Sequence, residues 1–130
     1  MGYITYARGV IRIEPPVPWG QIKDSPFLPN DRGGDRGLDI HLVIETSERE
    51  TDEGVLNVVV ATGIEERHDE PRNYYIVDQL QQLVDAFPDH SFVGRFDCEG
   101  EEAGDLWRLK VVNGKATRFE PTITWPADSE

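Results

Sequence analysis

Apolar and polar side chains alternate along much of this chain, and a period of two marks strands with one face in a core. Across Gly9–Glu14, Ile11 and Ile13 share one face while Arg12 and Glu14 take the other, which predicts a half-buried strand. Pro15, Pro16 and Pro18 have no N–H to donate, so a ladder is expected to stop there. Trp19–Lys23 predicts a short helical turn before Pro26, and the polar, glycine-rich residues 29–37 predict a mobile loop. Leu38–Ile44 reads as a second strand with Leu38, Ile40, Leu42 and Ile44 on one face. The acidic stretch Glu45–Glu53 is expected to interrupt it before a third strand over Val55–Ala61, giving a hairpin with a long solvated tip. Val58-Val59-Val60 is apolar on both faces, which predicts a central strand covered on both sides.

The period then changes to that of a helix. Ile76, Leu80, Leu83, Val84 and Phe87 form one apolar stripe, with Asp78, Gln81, Gln82 and Asp85 facing away. This predicts a helix from Asn73 or Tyr74 to Phe87, with Asn73 as its N-cap and Pro88 as its stop. Alternation returns in a strand over Phe92–Glu99, a turn over Gly100–Asp105, and a hairpin of Leu106–Val112 with Lys115–Glu120. Asn113-Gly114 fits a type I′ turn, because both residues tolerate positive φ, and it pairs Val111 with Ala116 and Lys110 with Thr117. Trp107, Leu109 and Val111 then face the core. Pro121–Pro126 is expected to add a short edge segment bearing Trp125.

The expected fold is α+β: a mostly antiparallel sheet of five to six strands with one main amphipathic helix, about 74–87, packed on one face. The order of elements is compatible with a split β-α-β arrangement. No composition shift, repeat or low-complexity tract divides residues 1–130, so a single domain is expected.

Composition narrows the function classes. Apolar residues make up 38% of the 130, enough for a packed core. No apolar run approaches the roughly 20 residues of a membrane span, the N-terminus lacks the organisation of a secretory leader, and Tyr6 stands where a myristoylation motif wants Ser or Thr. The lone Cys98 excludes an internal disulfide framework and a cysteine zinc site, so the cytoplasm is expected. A net charge of −12 argues against direct nucleic-acid binding, which needs surplus Lys and Arg. It suits either plain solubility or an acidic mimic of nucleic acid that engages a basic partner.

Fourteen acids fall in three clusters: Glu45, Glu48, Glu50, Asp52 and Glu53; Glu65, Glu66, Asp69 and Glu70; and Asp97, Glu99, Glu101, Glu102 and Asp105. The third brackets a tight turn, but Arg108 stands where a calcium loop would place its closing Glu, so no metal is expected. Asp97 and Glu99 are better explained as cross-strand partners of Arg108 and Lys110, with Arg95 on their own face. His41, His68 and His90 share no metal-ligand spacing. His90, just after the helix, could act as a general base with a carboxylate. Ser25 and Ser91 lack a nucleophile elbow, Cys98 sits beside acids that disfavour a thiolate, and no phosphate-binding glycine motif occurs. No catalytic residue and no cofactor is therefore assigned. Trp19 and Trp125 lie beside prolines in irregular segments, an arrangement suited to protein contact.

Gly2-Tyr3-Ile4-Thr5, Gly9, Ile11, Ile13, Pro15-Pro16, Trp19 and Ile22–Phe27 at one end, with His90, Phe92, Gly94, Gly100–Arg108, Pro121, Ile123 and Trp125-Pro126 at the other, form a recognisable pattern. It resembles a family of small uncharacterised proteins from actinobacteria and their phages. The resemblance leaves out about Leu38–Arg72. It implies a phage or mobile-element accessory protein, or a host protein of similar type, and transfers no catalytic residue. Three readings follow. The first is a non-enzymatic interaction domain that binds a host protein through Trp19, Phe27, Glu101, Glu102, Asp105, Arg108 and Trp125, with homodimerisation through a free sheet edge as a variant. The second is the acidic mimic, which requires the acid clusters to form one face. The third is a small enzyme or metal-dependent hydrolase that brings His90 together with Asp97, Glu99, Glu101 or Asp105.

Overall fold

A computed structural model describes residues 3–67 and 72–126. Eight strands and one main helix make an α+β fold: β1 (Thr5–Arg8), β2 (Ile11–Pro18), α1 (Trp19–Ile22), a 3₁₀ turn (Asn30–Arg32), β3 (Ile40–Thr51), β4 (Gly54–Glu66), α2 (Ile76–Ala86), β5 (Ser91–Gly94), β6 (Phe96–Gly100), β7 (Leu106–Val112) and β8 (Lys115–Phe119). They form two antiparallel four-stranded sheets, ordered β1-β6-β7-β8 and β3-β4-β2-β5, in place of one sheet of five to six strands. All pairings are antiparallel, so the split β-α-β topology is not realised.

The expected strand Phe92–Glu99 is cut in two because its halves serve different sheets. β5 pairs with β2, and β6 pairs with β1. The chain between β1 and β2 turns the same corner. Gly9 and Gly94 stand at the two bends with φ of 109° and 112°, and a Cβ on either would come within 2.6 or 2.7 Å of a carbonyl oxygen of the facing bend, Arg95 O or Val10 O. Two backbones thus cross at a distance only glycine permits. The single apolar period of 92–99 could not reveal this break.

Two further expectations fail for identifiable reasons. β2 runs on through its prolines to Pro18, because Ile13–Pro16 lie in a register shift and need no ladder bond to β4; pairing resumes at Val17↔Ala61. β3 likewise continues through the acidic stretch to Thr51, since a strand whose faces are both in water tolerates charge, and Asp52-Glu53 alone make the turn. Thr51 Oγ1 closes that turn, donating to Gly54 O at 2.9 Å.

Fully buried Ile11, Ile13, Leu42, Ile64, Leu80, Leu83, Phe96 and Leu109 form the core, each such side chain contributing about 1.5–3 kcal/mol. Helix α2 supplies Ile76, Leu80, Leu83 and Val84 as its stripe predicted. It touches β8 of one sheet and β3 of the other rather than lying on one sheet face. Gln81 fastens it to the β7–β8 hairpin, accepting from Ala116 N–H at 2.8 Å and donating to Gly114 O at 3.1 Å. The Asn113-Gly114 turn has φ of 51° and 77°, with Val111↔Ala116 and Lys110↔Thr117 in register as expected. No strand is described over 121–126. Among the described residues, no helix is long and apolar enough to cross a membrane.

Candidate functional site

The residues singled out from the sequence fall on separate elements. Phe27 is only 4% exposed and belongs to the core, so its ring offers no contact surface. Its carbonyl accepts from Leu42 N–H at 2.8 Å, which seals the outer edge of β3 near its start. Trp19 is half-buried on α1, with the Arg32 guanidinium 5.9 Å from its ring centroid. Glu101 and Glu102 are exposed on the β6–β7 turn. Asp105 accepts from the Tyr3 hydroxyl at 2.5 Å, while Glu102 N–H donates to that hydroxyl at 3.0 Å, so the turn folds round a tyrosine. The bond to Asp105, above all, raises the Tyr3 phenol pKa. Arg108 bonds Asp97 across the strand pair at 2.9 Å as expected, and Arg95, on the same face two residues before, bonds it at 3.1 Å. Glu99 lies opposite Leu106 and Lys110 opposite Thr117, so these two are not cross-strand partners. Trp107 is buried as expected, with Arg118 stacked 4.2 Å from its ring centroid. Trp125 is 77% exposed.

His90 donates Nδ1–H to Pro15 O at 2.6 Å. It lines a cavity of about 520 Å³ with Asp85, Ser91 and Asn113, and none of Asp97, Glu99, Glu101 or Asp105 lines that cavity. The acid clusters are also dispersed. Glu66 is buried, Glu65 faces His41 at 3.4 Å, and Asp69 and Glu70 lie outside the described residues, as does His68. The first cluster sits on β3–β4 and the third on the other sheet.

Sequence reasoning passed over an exposed apolar element on the β3–β4 hairpin. Beyond Val60, β4 loses its partner β2, and Gly54–Val59 pair with β3 alone. β3 is the outer strand of its sheet, so from Thr46 to Thr51 neither edge of this two-stranded arm is paired among the described residues. At about 3.3 Å per residue the arm projects roughly 20 Å. Val55 is 65% and Leu56 47% exposed, and Val58–Val60 are only half-buried, not covered on both sides. β4 is central in its sheet as expected, but only from Val60 onward. Pairing sets Leu56, Val58 and Val60 on one face beside Arg49, Ser47 and Glu45, and Val55 and Val59 on the other beside Glu50 and Thr46. Glu45, Glu48, Glu50, Asp52 and Glu53 make the arm acidic, with Arg49 its one base.

At the opposite end of the hairpin lies a buried polar knot. Glu66 Oε2 accepts from Ala7 N–H at 2.5 Å and from Asn73 Nδ2 at 2.6 Å, and Asn73 also donates to Thr5 O at 2.5 Å. Asn73 therefore ties β1 to β4 instead of capping α2, and its φ of 57° is one that asparagine tolerates. The helix entry is held by Asp39, which accepts from Tyr75 N–H at 3.0 Å. Nearby, Cys98 is 2% exposed, and burial, reinforced by the Glu66 charge, pushes its thiol up to about 12.

The architecture is a two-sheet α+β fold carrying a projecting acidic hairpin arm. The chain belongs to a family of unknown function, DUF6205, which matches residues 1–130. No curated protein and no solved structure matches it.

Proposed function

We propose that this chain is a non-enzymatic protein-interaction domain that presents the β3–β4 arm to an extended, basic segment of a partner protein. One observation carries the reading: among the described residues, 54–59 have β3 as their only strand partner, and the outer edge of β3 is open beside them. An open edge offers backbone donors and acceptors to an added strand, and side chains along it set specificity. Exposed Val55 and Leu56 supply apolar contact. The five carboxylates select a strand bearing Lys or Arg and steer it at long range. They also disfavour a second copy of the chain, since antiparallel pairing of two arms sets like charges side by side. The acidic-mimic reading draws less support, because Glu66 is inside the protein and Asp97 carries two arginines. A cytoplasmic setting suits the free, buried thiol of Cys98.

The test is capture of partners from host lysate by wild type and by Val55→Thr/Leu56→Glu, over a salt series, with circular dichroism confirming that the variant folds. The expected result is a partner with a basic extended segment that is held by wild type and by Trp125→Ala, weakened by salt, and lost by the arm variant. Equal capture by wild type and the arm variant refutes the assignment.

A further inference from the structure

The base of the β3–β4 hairpin and the segment leading into α2 border an open cavity of about 450 Å³ whose lining includes Arg36, Leu38, Asp39, Arg67, Arg72 and Tyr74. Three arginines meet here on a chain of net charge −12. The single carboxylate among the described residues of the lining, Asp39, has its Oδ2 engaged by Tyr75 N–H at 3.0 Å and Gln79 Nε2 at 3.4 Å. Neither Arg36 nor Arg72 forms an ion pair among the described residues, whereas Arg12, Arg95, Arg108 and Arg118 all do.

Arg67 is the informative member. It is 8% exposed, and its Nη1 donates to Asn30 Oδ1, which fixes the guanidinium plane. Nε and Nη2 are buried and have no partner among the described residues. These two nitrogens share one edge of the plane, the edge that receives a phosphate or carboxylate through two parallel bonds. A charged donor buried without an acceptor is costly to keep, so a built but unfilled fork points to an acceptor from outside the chain.

We propose that this cavity binds a small phosphate-bearing ligand. Its phosphate meets the Arg67 fork, Arg36 and Arg72 close over it, and its organic part rests against Leu38 and Tyr74. The fork is closed to solvent, so the ligand seats by displacing exposed rim side chains. The cavity has the size of a small-molecule site. A nucleic acid or an anionic membrane is disfavoured, because polyanions need a broad basic surface and meet a strongly acidic protein.

Calorimetric titration and thermal melting with inorganic phosphate, adenosine monophosphate, adenosine and a single-stranded oligonucleotide test this. Saturable binding of the monophosphate, with a raised Tm and none for adenosine, is the expected result; binding of inorganic phosphate as well locates recognition in the phosphate itself. Arg67→Lys keeps the charge but removes the fork and should weaken binding by about tenfold or more. Arg36→Gln/Arg72→Gln, on exposed side chains that leave folding intact, should weaken it by a similar factor. Absence of saturable phosphate binding, adenosine binding as tightly as its monophosphate, an oligonucleotide binding more tightly still, or affinity unchanged in both variants would each overturn the proposal.

Discussion

Replacing Gly94 by alanine tests the corner where both sheets are joined. Its φ of 112° is one that residues with a Cβ occupy only under strain, at a cost of about 1–3 kcal/mol. The added Cβ would also lie 2.7 Å from Val10 O, with Ile11 Cα at 3.6 Å, so two paired backbones must separate. Forced overpacking of that kind costs a further 1–3 kcal/mol or so. Together about 2–6 kcal/mol is lost, a large share of the roughly 5–15 kcal/mol that holds a domain folded. In urea denaturation followed by far-ultraviolet circular dichroism, a slope of about 2 kcal/mol/M turns this into a midpoint roughly 1–3 M lower. Two substitutions calibrate the result. Gly33→Ala, with φ of 89° but open space around the new Cβ, should lose only about 1–2 kcal/mol. Gly20→Ala, with neither strain nor a neighbour within 4 Å, should stay within about 0.5 kcal/mol of wild type or gain slightly. Gly9→Ala should resemble Gly94→Ala, and the double variant should lose less than the two losses combined, because one separation of the backbones relieves both contacts. A Gly94→Ala midpoint no lower than that of Gly33→Ala would refute the close crossing.

Two further predictions concern the interior. The Cys98 thiol, raised to about 12 in the folded chain, keeps its proton while the unfolded thiol ionises near its ordinary value of 9.0. The unfolded state therefore binds fewer protons between those values, and stability falls with rising pH by about 1.4 kcal/mol per unit there. Cys98→Ala should remove that component from the pH dependence of urea midpoints, and identical profiles for the two proteins would count against it. Asn73→Ala deletes donors to Glu66 and to Thr5 O and leaves alanine at a φ of 57°; a loss of about 2–4 kcal/mol by thermal or chemical melting is expected, and a change below about 0.5 kcal/mol would mean that the knot is not structural.

The strands whose alternation was clean, Ile11–Ile13, Leu38–Ile44 and the Asn-Gly hairpin, were legible because one face is dry and the other wet. The helix stripe was legible for the same reason. The arm was not, since alternation reports burial and Glu45–Thr51 has no buried face to report. Val58-Val59-Val60 misled in the opposite direction: a run of valines reads alike whether a sheet covers it or a partner is to come. Asn73 lies where a helix cap belongs, and only the fold brings Glu66 and Thr5 to its amide. The gathering of Arg36 with Arg67 and Arg72 had no signal, because Arg36 lies more than thirty positions before the other two and meets them through the return of β4 alongside β3.

The pairing of β1 with β6 joins Thr5 to Gly100 and Arg8 to Asp97. A loop of this length has to be closed before the contact returns any enthalpy, so the search is slow and most of the chain takes part in it. During synthesis the first strand leaves the ribosome long before its partner exists. The β3–β4 hairpin, formed from neighbours in sequence, can assemble early, whereas the corner at Gly9 and Gly94 completes only after residues 10–93 between its two bends have been made. An acidic tip on that early hairpin would then serve as a guard against premature association, well before it meets any partner.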